Sequence, residues 1–219
     1  MTPIKIVSLN IGLPKKVTFD NNNHIISGIK KKPTDQIVLL KKNGFEGDDS
    51  YEDCHGGKNM AVHVFAYENY SYYNKKAGYN IALPAFGENL TLSGYNEQQA
   101  RVGDVLTIGN ATVQVSQPTE RCKNIGLSLG LPQMLKWIHE ELRTGFYFRV
   151  LEEGSVSTRS EIKLIERGNE EGSIAALNNI MFRYLDNKTL VTDACQTPHI
   201  SEEWKNRLLK LQQRASQIH

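Results

Sequence analysis

The chain has 219 residues, 39% of them hydrophobic and 23% charged, with a formal net charge of +2. This composition builds a sizeable core and excludes a disordered or fibrous chain, and so small a charge singles out no polyanionic partner. No run approaches the roughly 18 apolar residues of a membrane helix, residues 1–10 alternate instead of forming a signal block, and three widely spaced cysteines make no disulfide framework, so a cytoplasmic protein is expected.

Taken in order, residues 4–9, 25–29 and 36–40 alternate apolar and polar side chains, and residues 61–65 follow a glycine pair; all are expected strands. The lysines at 30–32 and 41–42 are expected to be solvated strand-end residues. A helix is predicted over 67–76. Residues 105–108 and 112–117 form a predicted hairpin around Gly109-Asn110, with Val113 and Val115 on one face. Residues 132–142 form a second predicted helix, with Pro132 in its first turn. Residues 146–151 and 162–165 are the last expected strands, with Phe146, Phe148 and Val150 on one face and Tyr147, Arg149 and Leu151 on the other.

From residue 168 the pattern becomes helical. Ile174, Leu177, Met181 and Tyr184 recur at helical spacing, a short helix is predicted near 189–195, and Ser201 with Glu202 and Glu203 opens a last one. The expectation is a mainly β domain over 1–167, a closed or nearly closed barrel with interspersed helices, and a three-helix appendage over 168–219. The last helix carries Lys205, Arg207, Lys210 and Arg214, but Glu202 and Glu203 offset them and a nucleic-acid role is weakly supported.

Four stretches carry groups suited to chemistry. The first runs Gly44-Phe45-Glu46-Gly47-Asp48 and on through Asp53-Cys54-His55-Gly56-Gly57-Lys58. Its glycines let backbone N–H groups approach an anion, and His55 can donate a hydrogen bond or shuttle a proton; a tight turn capped by its own aspartates is the plainer alternative. Cys54 beside His55, with Cys195 and His199 far downstream, is poor support for a zinc site, because adjacent residues point apart and no CxxC pair exists. The second, Phe86-Gly87-Glu88-Asn89-Leu90, would place a carboxylate and an amide at a pocket rim, or simply turn the chain into a strand. The third is Gln117-Pro118-Thr119-Glu120-Arg121-Cys122-Lys123, in which two cations flank Cys122 and favour its thiolate; an ordinary buried cysteine is the alternative. In the fourth, residues 145–151, Tyr147 and Arg149 share a face that could hold an anion, although a carboxylate-paired surface arginine fits as well.

In this order the segments resemble the MOSC family (molybdenum-cofactor sulfurase C-terminal domain), specifically its stand-alone YiiM-like branch with a C-terminal three-helix appendage. Besides the stretches above, Val102-Gly103-Asp104 matches, and the resemblance spans roughly residues 1–165. It implies a β-barrel that binds the molybdenum cofactor, with Cys122 as the protein's sulfur ligand to the metal. It further implies an oxidoreductase that reduces N-hydroxylated compounds, such as N-hydroxylated purine bases, to amines. His55, Glu88, Asn89 and Arg149 fall on motif positions expected around the pocket. His55 and Glu88 are the candidate proton donors, while Gly56, Gly57, Asn89, Lys123 and Arg149 are the candidate cofactor-binding residues.

One departure stands beside the cysteine. The family commonly shows Gln-Pro-Arg-x-Pro-Cys, whereas here Thr119 and Arg121 occupy the arginine and proline positions. The chain has neither the cysteine set of an iron–sulfur cluster nor a Gly-x-Gly-x-x-Gly dinucleotide motif, so a separate reductase is the expected electron source. The helical tail could dock that reductase or pair two subunits, but packing on its own barrel is the favoured expectation. Two alternatives remain at this point: a sulfur carrier with a persulfide on Cys122, and a cofactor-binding protein without turnover.

Overall fold

Alternating apolar positions supply most of the strands in the computed structural model, which describes residues 3–18, 24–49 and 57–217. In chain order these are β1 (Lys5–Ile11), β2 (Lys15–Thr18), β3 (His24–Ser27), β4 (Lys32–Pro33), β5 (Val38–Lys41), β6 (Gly44–Phe45), β7 (Val62–Ala66), β8 (Leu90–Ser93), β9 (Val105–Ile108), β10 (Ala111–Pro118), β11 (Phe146–Glu152), β12 (Gly154–Val156) and β13 (Ile162–Glu166). The helices are α1 (Tyr67–Ala77), α2 (Asn124–Leu129), α3 (Met134–Glu141), α4 (Ile174–Arg183), α5 (Lys188–Gln196) and α6 (Glu202–Ser216).

Eight strands form one curled sheet in the order β13-β9-β10-β11-β7-β8-β1-β4, and β12-β5-β6 and β2-β3 form two smaller sheets. The large sheet is mixed: β7 and β8 run parallel, joined across α1, and its other pairs are antiparallel. The result is a half-barrel, mainly β, followed by helices. On β11 the period of two holds as expected: Phe146 and Phe148 are fully buried and Val150 nearly so, while Tyr147 and Arg149 stay partly exposed.

The helices of the last third start where a side chain can satisfy an open N–H. Ser173, Asn187 and Ser201 accept from the backbone N–H of Ala176, Leu190 and Trp204 respectively. Their apolar faces enter the same core as the sheet, with Ile174, Leu177, Met181, Trp204 and Leu208 packed together with Leu106, Val113, Val115 and Phe148. A second cluster lies under α1 and α3, built on Phe65, Tyr70, Tyr73 and Phe86; the Phe65 and Phe86 rings stack with centroids 4.1 Å apart. Pro132, expected in the first turn of a helix, instead precedes α3, which starts at Met134 and ends as Leu142 turns to φ 57. No helix among the described residues is long and apolar enough to cross a membrane.

Candidate functional site

The site begins at an irregularity in β10. Its register against β11 shifts between Val115 and Gln117, so Ser116 bulges and its hydroxyl donates to the Asn59 carbonyl at 2.5 Å, with the Tyr147 carbonyl also within reach at 3.0 Å. Two residues later the strand ends, and residues 119–123 cross to α2. Thr119 is still held to the sheet, its N–H donating to Gly145 O at 3.1 Å.

Arg121 clamps this crossing from within. Its Nε donates to Thr144 O at 2.9 Å, its Nη1 to Phe86 O at 2.6 Å and its Nη2 to His63 Nε2 at 2.7 Å, and the guanidinium lies over the Phe65 ring. A guanidinium only donates, so Nε2 of His63 accepts and the imidazole carries its proton on Nδ1. Burial pushes the guanidinium's pKa down, while the Tyr147 and Glu88 side chains oppose that shift. In the place of a proline, then, stands a side chain that ties three segments together through hydrogen bonds.

Beside the clamp lies a cavity of ≈ 390 Å³, a size usual for small-molecule sites. Cys122, Thr119 and Glu120 form one wall, Gly57, Lys58 and Met60 another, and Ile26 to Ile29 a third. Phe86, Gly87 and Asn89 also line the cavity, as do Arg121, His63 and Tyr147, and Gly87 packs close against Ile29. Asp48 organises one rim. Its carboxylate accepts from Lys31 Nζ at 2.5 Å, from Gly12 N–H at 2.8 Å and from Asn89 Nδ2 at 2.8 Å. Asn89 in turn accepts the His63 N–H through Oδ1 at 3.0 Å, which joins this rim to β7.

The residues expected from the sequence divide into three groups. Cys122, Asn89 and Gly57 line the cavity. Glu88, Arg149 and Lys123 do not. Gly87 at φ 70 turns the chain so that Asn89 faces the cavity while Glu88 is buried behind it, accepting from Tyr70 Oη, Phe86 N–H and Thr91 Oγ1. Burial pushes the Glu88 carboxyl above its ordinary range, against the pull of the Tyr70 hydrogen bond and the Arg121 charge. Arg149 shares a strand face with Tyr147, as alternation requires, but it donates to His199 O at 2.8 Å and Gln114 Oε1 at 3.4 Å under the C-terminal helices. Lys123 is exposed. His55 and Gly56, with Cys54, lie outside the described residues.

His63 and Lys31 escaped the sequence reading. His63 had a signal, being the one polar residue in the apolar run of β7. Lys31 had none, since it sits in a lysine triplet that looks solvated.

Three features bear on what the cavity can hold. No group of three or more His, Cys, Asp or Glu among the described residues could hold a metal ion. The Cys122 sulfur on the wall is a suitable addition to a metal that arrives inside a group carrying most of its own donors. Thr119 is 2% exposed, lines the cavity, and its hydroxyl has no hydrogen-bond partner among the described residues. Lys58 supplies an ammonium group on the wall, while Lys31 is paired with Asp48 and Glu120 with Arg207. A soft donor, a hydroxyl with no partner among the described residues and the Lys58 ammonium fit an anionic, metal-bearing organic cofactor.

The family model described as the MOSC domain matches residues 51–163. The uncharacterized protein YflK of Bacillus subtilis (strain 168) is 35% identical over 210 residues, covering 95% of each chain. A protein named as a reductase, from Gibberella moniliformis, is 26% identical over 180 residues, which is 80% of this chain but 32% of that one. The crystal structure of YiiM from Geobacillus stearothermophilus superposes with a TM-score of 0.81 at 32% identity, over 96% of this chain and 100% of that one.

Proposed function

The chain belongs to the MOSC-domain family, in its stand-alone YiiM-like form, and on that premise we propose that the cavity beside Cys122 binds the molybdenum cofactor. We further propose that the protein is an oxidoreductase converting N-hydroxylated compounds to amines. The observation that carries this is the Cys122 sulfur on the wall of a small-molecule cavity, beside the Thr119 hydroxyl that has no partner among the described residues.

Cys122 would supply the protein's ligand, as thiolate sulfur suits a soft metal centre. The Thr119 hydroxyl and Asn89 would meet polar edges of the cofactor, and Lys58 its negative charge. When bound, the cofactor supplies the two-electron redox chemistry that the conversion requires. The net reaction takes two electrons and two protons per N-hydroxyl group and releases the amine and water. Of the described wall residues, His63 and Tyr147 carry exchangeable protons on side chains facing the cavity, which makes them the candidates to hold and pass a proton. Glu88, turned into the core, stiffens the Phe86–Asn89 wall instead. Electrons come from a separate reductase in this proposal, and the protein works in the cytoplasm.

Molybdenum and pterin contents of the purified protein from a cofactor-producing host test the proposal, beside a Cys122→Ala control. Near-stoichiometric metal in the wild type, lost in the control, is expected, together with reduction of an N-hydroxylated base by a chemical electron donor in the wild type alone. Sulfane sulfur on Cys122 with no metal would replace this function with that of a sulfur carrier.

A further inference from the structure

The Cys122 crossing is also held from outside, by the last helix. Trp204 and Leu208 are sunk in the core and fix the rotation of α6. Glu203 and Arg207, spaced i, i+4, then share the flank that meets the cavity walls. Arg207 donates through Nε and Nη2 to the two carboxylate oxygens of Glu120, at 2.6 and 2.5 Å. Glu203 accepts from Asn59 Nδ2 at 2.9 Å, between the wall residues Lys58 and Met60. At the helix start, Ser201 Oγ donates to Gln117 Oε1 at 2.5 Å and its N–H to Ser116 O at 3.2 Å.

Residues 119–122 are therefore gripped between two arginines, Arg121 inside and Arg207 outside. A two-pronged guanidinium–carboxylate pair fixes direction as well as distance, which a single ammonium does not. The side chains of Arg207 and Glu120 are 40% and 33% exposed, and a pair this wet adds little to global stability. What it can do is orient the loop.

We propose that Arg207 is a positioning residue for Cys122, through which the C-terminal helices set how far the thiol is presented to the cavity. The proposal rests on the cofactor reading only in taking Cys122 as the working thiol.

The test is the rate at which iodoacetamide alkylates Cys122 in the full chain from a host unable to make the cofactor, with peptide mapping to separate Cys122 from Cys54 and Cys195. Arg207→Ala is expected to raise the Cys122 rate about fivefold, with an unchanged Tm and an unchanged rate at Cys195. Arg207→Lys should fall between the two. The swapped pair Glu120→Arg with Arg207→Glu should return toward the wild-type rate. A Cys122 rate unchanged in Arg207→Ala, a rise shared equally by Cys195, or no recovery in the swapped pair would overturn the proposal. Because the readout needs no metal, a protein that never binds molybdenum but shows this pattern would keep the positioning role and lose the cofactor reading.

Discussion

Folding takes the Glu88 carboxyl out of water and surrounds it with three donors, the Tyr70 hydroxyl, the Phe86 N–H and the Thr91 hydroxyl. Burial still dominates and raises its pKa above the ordinary 4.5. The folded state then binds a proton more tightly than the unfolded chain. The stabilising contribution is complete below pH 4.5 and is lost as pH rises through the folded value. Glu88→Gln removes this titration. Denaturant melts across a pH series should show the wild type's advantage over the variant shrinking as pH rises out of the acid range. Parallel profiles would mean that Glu88 does not titrate as its burial demands. The same residue marks a limit of the sequence. Its motif placed it near the pocket, and it is near, but whether it faces the cavity or the core depends on the positive φ of Gly87, which a glycine permits and does not announce. Arg121 was legible as a cation beside Cys122 and as a departure from a family pattern, but not as a clamp. Its three acceptors come from residues 63, 86 and 144, and no spacing along the chain brings those together.

The elements that could be read in advance are those whose burial repeats with their own period. The alternation of β11 and the hairpin of β9 and β10 follow from side chains that must enter one core, and the three last helices from apolar residues at helical spacing. The strands β4, β6 and β12 hold two or three residues each, too few for a period to emerge, and they exist because a neighbouring edge accepts them. The approach to β11 is a further case where tertiary geometry governs. Gly145 precedes the strand at φ 80, and a Cβ there would stand 2.5 Å from Val64 O and 3.0 Å from His63 Nε2. Both neighbours belong to β7, and one is the imidazole held by Arg121. Gly145→Ala combines strained backbone with a collision that rigid sheet backbone cannot relieve, so a loss of roughly 3 kcal/mol is expected in urea unfolding. The collision also displaces His63, and the variant's cavity should be altered at conditions where it remains folded. A variant as stable as the wild type would show that β7 and β11 can separate locally.

At the scale of the molecule, the C-terminal helices bear on whether the barrel stands alone. A module that merely hangs from a barrel brings its own core and meets its neighbour through a wet, polar surface. Here Ile174, Leu177, Met181, Trp204 and Leu208 belong to the same apolar cluster as Leu106, Val113, Val115 and Phe148. Polar ties run across the same junction. Asp104, fully buried, accepts from the Gly168 N–H at 2.7 Å and pairs with Arg167, while the Ile174 N–H donates to Ala100 O. Removing residues 168–219 would bare one side of the sheet's core and leave Asp104 with fewer of its donors. The apolar surface so exposed is the part of one shared core that five large side chains cover, and domain stability is a small margin that such a loss removes. A chain ending at residue 167 is therefore expected to be insoluble, or to bind hydrophobic dyes without a cooperative melt. A truncated chain that melts cooperatively would show instead that the barrel closes its core without the helices. The grip of α6 on Glu120 would then be the appendage's main link to the site, and the alkylation rate of Cys122 in that shortened chain would report directly what the grip contributes.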